Sequence, residues 1–265
     1  MTEPNAPAAA RNPRAILTQP APPPDRVLRY GEHADAVMDL YLPSSGAADA
    51  PLIIMLHGGY WRAKYDRVHM RPFADALRRD GFAVVLPEYR RVGGEGVLAG
   101  GYPATFDDVH AGLEALPALL AAQGFQPRHV TLAGHSAGGQ LALWVAMEAL
   151  AFDRIVALAP VSDLHAAYTE ALDDRAVEGF LGGSPEQFPE RYARTDPMLR
   201  LVQPACAVRV VHGDIDDRVP VEHSRRLVAR HPWLEYDEIA GCEHFGLIDP
   251  GSAAWPVVHA ALTRD

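Results

Sequence analysis

The stretch VTLAGHSAGGQLALWVAMEAL, residues 130–150, decides the fold of this chain. Its first part, VTLA, is a short apolar run, and its last part places apolar residues at the spacing of one helix face. The glycine-rich segment GHSAG, residues 134–138, separates the two parts. A buried strand that turns directly into a helix is typical of a parallel sheet covered by helices.

Similar apolar runs recur along the chain and predict further buried strands. They read PLIIMLH at 51–57, GFAVVLPEY at 81–89, RIVALAPVS at 154–162 and AVRVVHGD at 207–214. Segments of helical spacing fall at 68–79, 106–123, 137–150, 221–230 and 253–262. Alternating segments at 26–32 and 36–42 predict an antiparallel hairpin at one edge. The expected fold is α/β, with a mostly parallel, doubly wound, eight-stranded sheet and helices on both faces.

The length and composition predict one domain. A chain of 265 residues with 48% apolar content can bury one large core, which we place at 26–265. Residues 1–25 are rich in Pro and Ala without periodicity, so we expect a mobile or draped arm. Residues 163–205 separate two predicted strands and should form a small cap of two or three short helices.

The charge and the cysteines exclude several classes of protein. A net charge of -10 disfavours binding to nucleic acid or to anionic membranes. Cys206 and Cys242 form no CxxC motif, and no apolar run approaches transmembrane length. We therefore expect a cytoplasmic protein without a nucleic-acid or membrane partner, and the sequence leaves its oligomeric state unknown.

The GHSAG segment matches the G-x-S-x-G turn, in which a serine is exposed between a strand and a helix. Such a turn forces the serine into a strained backbone conformation, and only glycine leaves room beside it. Ser136 is thus the candidate nucleophile. We expect the neighbouring His135 to pack within the turn, because consecutive residues of a sharp turn point apart.

A second motif, HGGYWR at residues 57–62, follows the strand PLIIML. Loops of this kind supply backbone N–H groups to a developing oxyanion. We assign this role to Gly59 and Tyr60, together with Ala137 directly after Ser136. The alternative is a plain Gly-Gly turn, with His57 satisfying only local backbone groups.

An acid and a base are expected near the carboxyl ends of the last two strands. The segment HGDIDDRVP offers Asp216 to orient an imidazole, with Asp217 as the next choice and Asp214 shaping the loop. The cluster lacks the Gly and the terminal Glu of a calcium loop, which disfavours a cation site. His244, in GCEHFGLID, is the candidate base because the chain order serine, acid, histidine fits such a fold.

Two further segments are expected mainly to fix loop structure. The segment EYR, residues 88–90, and the segment YPATFDD, residues 102–108, should fix the loops around the site, and a substrate-facing role remains open. Trp61 is a candidate substrate-binding residue, with Tyr168 or Phe180 as a further aromatic wall. Ordinary packing is the alternative for all three side chains.

With these motifs, residues 26–265 resemble the esterase, lipase and kynurenine formamidase branch of the α/β-hydrolase superfamily. The form HGGYW is also found in kynurenine formamidases, which hydrolyse an N-formyl amide. The resemblance implies Ser136, Asp216 and His244 as a triad, and Gly59, Tyr60 and Ala137 as oxyanion donors. It implies that the protein uses neither a metal nor an organic cofactor. It also implies that the substrate is a small-molecule ester or activated amide.

Two other functions stay open at this stage. A peptidase-like hydrolase of the prolyl-oligopeptidase kind shares the fold and the order of the triad, although the accessory propeller is missing here. A hydrolase-fold binding protein without chemistry is the third alternative. Such proteins usually lack a triad member, whereas this chain has all three residue types in order.

Overall fold

The computed structural model describes residues 12–263 of the chain. Within them, one sheet contains eight strands in the order β1-β2-β4-β3-β5-β6-β7-β8. β1 pairs antiparallel with β2 and β2 with β4, and all other neighbours are parallel. The strands are β1 Arg26–Arg29, β2 Val37–Tyr41, β3 Leu52–Leu56, β4 Ala83–Pro87, β5 Val130–His135, β6 Arg154–Leu158, β7 Ala207–Gly213 and β8 Glu235–Ile239. The predicted fold, including the antiparallel edge hairpin, is confirmed.

The central strands are buried on both faces. Every residue of β3 and β4 is buried, as a sheet covered by helices requires. Successive side chains of β3 point to opposite faces, so Ile54 belongs to one apolar core and Ile53 to the other. The continuous apolar runs of the sequence therefore arise because neither face of the strand meets water.

The helices of the main layers correspond to the predicted segments, with one difference. α1 Arg71–Arg79, α2 Ala104–Ala122, α3 Ala137–Val145, α8 Glu222–Arg230 and α9 Trp255–Thr263 cover the sheet. The prediction that α3 continues to residue 150 was wrong. Beyond Ala146, the N–H groups of Met147 and Glu148 donate to carbonyls three residues back rather than four, which tightens the chain into a turn. No helix within 12–263 is both long and apolar enough to cross a membrane.

Four short helices, rather than two or three, occupy the predicted cap. They are α4 Leu164–Thr169, α5 Leu172–Leu181, α6 Pro189–Thr195 and α7 Pro197–Arg200. A proline stands at the first position of α6 and of α7, where its fixed φ favours a helix start. The Asp196 side chain caps α7 by accepting the Met198 N–H at 3.0 Å. These start signals separate α6 from α7.

The described part of the N-terminal arm packs on the domain, while residues 1–11 lie outside the described residues. A 3₁₀ helix at Pro13–Thr18 follows Asn12, whose side chain accepts the Arg14 N–H at 3.0 Å. Ile16 is 1% exposed and joins an apolar core on one face of the sheet. This part of the arm is therefore draped rather than free.

Candidate active site

Ser136 occupies the sharp turn between β5 and α3. Its φ of 58° and ψ of -118° are a backbone conformation that few non-glycine residues adopt. Its N–H donates to the Leu158 carbonyl at 2.8 Å, which ties the turn to the neighbouring strand. A Cβ on Gly134 would lie 2.0 Å from the Gly138 carbonyl oxygen, and one on Gly138 would lie 2.1 Å from that of Leu56. Both glycines of the motif are thus required by the backbone around the serine.

His244 lines the same cavity as Ser136, at the start of a 3₁₀ helix that spans His244–Leu247. The Glu243 side chain caps this helix by accepting the Phe245 N–H at 2.8 Å. The His135 ring donates from Nε2 to the His244 carbonyl at 3.1 Å. His135 therefore supports the backbone of the candidate base as well as packing within the turn.

Asp216 lies within hydrogen-bonding distance of His244. Its Oδ2 accepts from His244 Nδ1 at 2.6 Å, and its Oδ1 accepts the N–H groups of Arg218 and Val219 at 2.8 and 2.9 Å. The carboxylate is fully buried. Because Nδ1 donates to this carboxylate, Nε2 of His244 stays free to accept a proton.

His212 is a further partner of Asp216, and the sequence reasoning missed it. Its Nε2 lies 3.2 Å from Asp216 Oδ2 and 2.9 Å from the Val219 carbonyl, so this nitrogen carries the hydrogen. Its Nδ1 lies 2.7 Å from the Ser224 hydroxyl. Burial raises the pKa of Asp216, but hydrogen bonds from His212 and His244 outweigh it and hold that pKa below its usual range. The place of His212 at the head of HGDIDD is the signal that marks it.

The other two acids of the cluster point elsewhere. Asp214 accepts the Gly241 N–H at 2.6 Å and so shapes its loop, as predicted. The Asp217 side chain is 68% exposed, and its nearest charged partner is Arg218 at 3.5 Å. The structure thus brings Asp216, rather than Asp217, to His244. Among residues 12–263, no group of three His, Cys, Asp or Glu side chains is arranged to hold a metal ion.

The HGGYWR loop lies against the serine turn. Gly59 has φ of 116° and Tyr60 has φ of 50°, so the chain turns sharply over the cavity that both line with Ser136. A Cβ on Gly59 would lie 2.5 Å from that of Tyr65. Within the described residues, the backbone N–H groups of Gly59, Tyr60 and Ala137 donate to no protein acceptor. Ala137, the residue that follows Ser136 in the chain, is fully buried.

A buried polar cluster anchors this loop from behind. His57 Nε2 lies 2.8 Å from Glu88 Oε1, and the Tyr89 ring stacks on His57 at 4.3 Å. Glu88 also accepts from the Arg67 N–H at 3.0 Å and lies 2.9 Å from Arg91. Burial raises the pKa of Glu88, but these partners lower it to about 2. The contacts of Glu88 and Tyr89 are those of residues that fix a loop.

Trp61 does not line the cavity within the described residues. Its side chain is 1% exposed, and its ring stacks on Phe180 at 4.1 Å. The interpretation of Trp61 as a substrate-binding residue is therefore corrected. Trp61 instead packs between the HGGYWR loop and the cap, which is the alternative that the sequence left open.

The cavity is small, about 90 Å³ in volume. Burial lowers the pKa of His69 to about 4 and that of His135 well below its ordinary value, so both rings are neutral at pH 7. His69, the N-terminal arm and Arg218 also lie here, and none of them was predicted from the sequence. Besides Ser136, His244, Gly59 and Tyr60, the lining consists of Arg14, Leu17, Gly58, Tyr65, His69, His135, Asp173, Arg218 and Phe245.

Three comparisons describe what the chain resembles. A family model described as BD-FAE matches residues 38–230. A protein named as an uncharacterized peptidase, YtmA, of Bacillus subtilis (strain 168) is 30% identical over 155 residues, which are 56% of this chain and 57% of that protein. A kynurenine formamidase of Danio rerio is 33% identical over 120 residues, which are 44% of this chain and 36% of that protein.

The chain thus spans 57% and 36% of the lengths of these two relatives. Among solved structures, esterase B of Lactobacillus rhamnosis (HN001) superposes with a TM-score of 0.74 at 20% identity. That match covers 93% of this chain and 87% of the esterase. At this identity, the likeness concerns the fold alone.

Proposed function

The chain belongs to the BD-FAE family, and from this premise we propose that it is a serine hydrolase of small carboxylic esters or activated amides. The observation that carries the proposal is that two features line one cavity. The first is a serine on a strained strand-to-helix turn, and the second is a histidine whose Nδ1 lies 2.6 Å from a buried aspartate. Ser136, His244 and Asp216 are the nucleophile, the base and the orienting acid.

The reaction proceeds in two halves through an acyl-enzyme. His244 Nε2 takes the proton of the Ser136 hydroxyl as its oxygen attacks the acyl carbon, and the carbonyl oxygen becomes an oxyanion. When the intermediate collapses, the bond to the leaving group breaks, and His244 gives the proton to that group. A water molecule then attacks the acyl-enzyme, with His244 as base, and releases the acid and the free serine.

The N–H groups of Gly59, Tyr60 and Ala137 stabilise the oxyanion. Each donor of this kind lowers the barrier by about 3 kcal/mol in a site that excludes water. Within the described residues, these three N–H groups donate to no protein acceptor, which supports their role as oxyanion donors. The hydroxyl of Tyr60 donates to the Arg218 carbonyl, which fixes the loop against the strand end that carries Asp216.

The size of the cavity favours a short acyl group. The volume of the cavity is about 90 Å³. Such a space favours a formyl or acetyl group over a long acyl chain. The formamidase among the relatives is consistent with an amide of a small acyl group, and the peptidase keeps peptide amides as the second candidate.

The test is a substrate panel with wild type and Ser136→Ala. It contains p-nitrophenyl acetate and octanoate, N-formylkynurenine and a peptide p-nitroanilide. Ser162→Ala is the matched control, because Ser162 is also buried after a parallel strand, and its hydroxyl donates to the His223 carbonyl at 3.1 Å.

We expect acetate to be cleaved faster than octanoate, with turnover lost in Ser136→Ala and kept in Ser162→Ala. The rate on N-formylkynurenine decides between formamidase and general esterase. Turnover of the p-nitroanilide in preference to the esters would favour the peptidase. Absence of turnover on every substrate, or full turnover in Ser136→Ala, would contradict the proposal.

A further inference from the structure

The lining of the cavity includes one arginine, Arg14, that has no carboxylate partner among residues 12–263, in a protein whose net charge is -10. Its lining includes the charged side chains Arg14, Asp173 and Arg218. Asp173 is paired with Arg62, whose Nε lies 2.9 Å from Oδ2. Arg218 lies 3.5 Å from Asp217. The guanidinium of Arg14 contacts no carboxylate within the described residues, so an anion entering the cavity meets an unpaired cation.

Arg14 lines the cavity next to the ring that neighbours His244. Its guanidinium carbon is 5.9 Å from the centre of the Phe245 ring. That ring is 5.2 Å from the ring of His244. Because His244 hands its proton to the leaving group, the leaving group must lie next to His244. Arg14 is therefore placed to contact the leaving group rather than the acyl group.

The backbone around Arg14 is held in place before any ligand binds. Its N–H donates to the Asn12 side chain at 3.0 Å, and two residues further Ile16 is buried in the core. Leu17, on the same 3₁₀ helix, lines the cavity. The side chain of Arg14 is thus presented from an ordered segment, which reduces the entropic cost of binding an anion.

Building on the proposed function, we propose that Arg14 is a specificity-determining residue that binds a carboxylate in the leaving group of the substrate. The preferred substrate is then a short-chain ester or amide whose alcohol or amine part is an acid. A guanidinium matches a carboxylate with two parallel N–H···O bonds, and the Phe245 ring beneath the Arg14 guanidinium lines the same cavity.

The test uses two pairs of substrates that differ in charge. The first pair, 4-acetoxybenzoate and its methyl ester, shares the acetyl group and differs in the charge of the leaving group. The second pair, p-nitrophenyl hydrogen succinate and p-nitrophenyl butyrate, differs in the charge of the acyl group. The ratio of kcat/KM, charged over neutral, is measured for wild type, Arg14→Gln, Arg14→Lys and the control Arg26→Gln, an exposed arginine on β1.

For the first pair, we expect Arg14→Gln to lower the ratio about tenfold, mainly through KM, which is the size of one charge-assisted contact. Arg14→Lys should keep part of the preference for the charged substrate, and Arg26→Gln should leave the ratio at its wild-type value. High salt should weaken the wild-type preference. For the second pair, the ratio should not depend on Arg14.

A second readout needs no turnover. Calorimetry compares the binding of 4-acetoxybenzoate to Ser136→Ala and to Ser136→Ala/Arg14→Gln, and we expect weaker binding to the double variant. Equal ratios and equal binding with and without Arg14, or an effect on the succinate pair alone, would overturn the inference. Arg14-dependent binding without turnover in wild type would instead overturn the proposed function, and with it the specificity role, and would leave Arg14 only as a carboxylate-binding residue.

Discussion

Replacing Asp216 by asparagine keeps the shape of the side chain and removes its charge. The Oδ1 position still accepts the N–H groups of Arg218 and Val219, at 2.8 and 2.9 Å, which fixes the orientation of the new amide. Its NH₂ group then takes the place of Oδ2, to which His244 and His212 now donate. An amide nitrogen cannot accept these hydrogens.

The consequence for the base follows from its tautomer. Facing a donor, Nδ1 of His244 must become the acceptor, so the proton moves to Nε2 and blocks transfer from Ser136. The imidazolium also loses its counter-charge. We expect kcat to fall about 10⁴-fold, a barrier increase of roughly 5 kcal/mol. His212 keeps the Val219 carbonyl at 2.9 Å, so stability should fall by only about 1–3 kcal/mol.

The assay is kcat on p-nitrophenyl acetate at neutral pH, with thermal unfolding to confirm that the variant is folded. Asp217→Asn is the matched control, because its side chain is 68% exposed and lies outside the network of His244. It should retain wild-type kcat. A loss below tenfold in Asp216→Asn, or an equal loss in Asp217→Asn, would refute this assignment of the acid.

Two further predictions concern stability. The pKa of Glu88 is lowered to about 2, so its contribution is complete above its ordinary value near 4.5 and is lost as pH falls towards 2. Glu88→Gln should lower the free energy of unfolding by about 3 kcal/mol at neutral pH and remove this loss of stability between pH 4.5 and 2. The measurement is urea unfolding at a series of pH values, and an unchanged pH dependence in the variant would contradict the prediction. Gly138→Ala forces a Cβ to 2.1 Å from the Leu56 carbonyl and should destabilise by about 3 kcal/mol or more. Gly112→Ala in α2, whose Cβ would have its nearest contact at 3.5 Å, should stabilise by about 1 kcal/mol or less, and equal unfolding midpoints for the two variants would argue against this account.

Local patterns predicted the sheet and the order of the candidate site residues along the chain. Continuous apolar runs specify strands buried on both faces, and GHSAG marks its turn through steric limits that lie within a few residues. Asp216 also follows from its place after a strand, although only the structure separates it from Asp217.

Features that depend on contacts between distant segments could not be predicted. Trp61 packs on Phe180 across more than a hundred residues, which no local pattern reveals. Arg14 reaches the cavity only because Ile16 inserts into the core, and one buried residue in a Pro- and Ala-rich segment gives no periodicity.

The most direct test of the central claim is the mass of the protein after reaction with a fluorophosphonate. This reagent forms a serine–phosphorus bond and releases fluoride only where an activated hydroxyl attacks it. We expect one adduct per chain, located by peptide mass spectrometry on Ser136, and absent from Ser136→Ala but present in Ser162→Ala. No adduct on wild type, or an adduct on another residue with Ser136 unmodified, would contradict the assignment of Ser136 as the nucleophile.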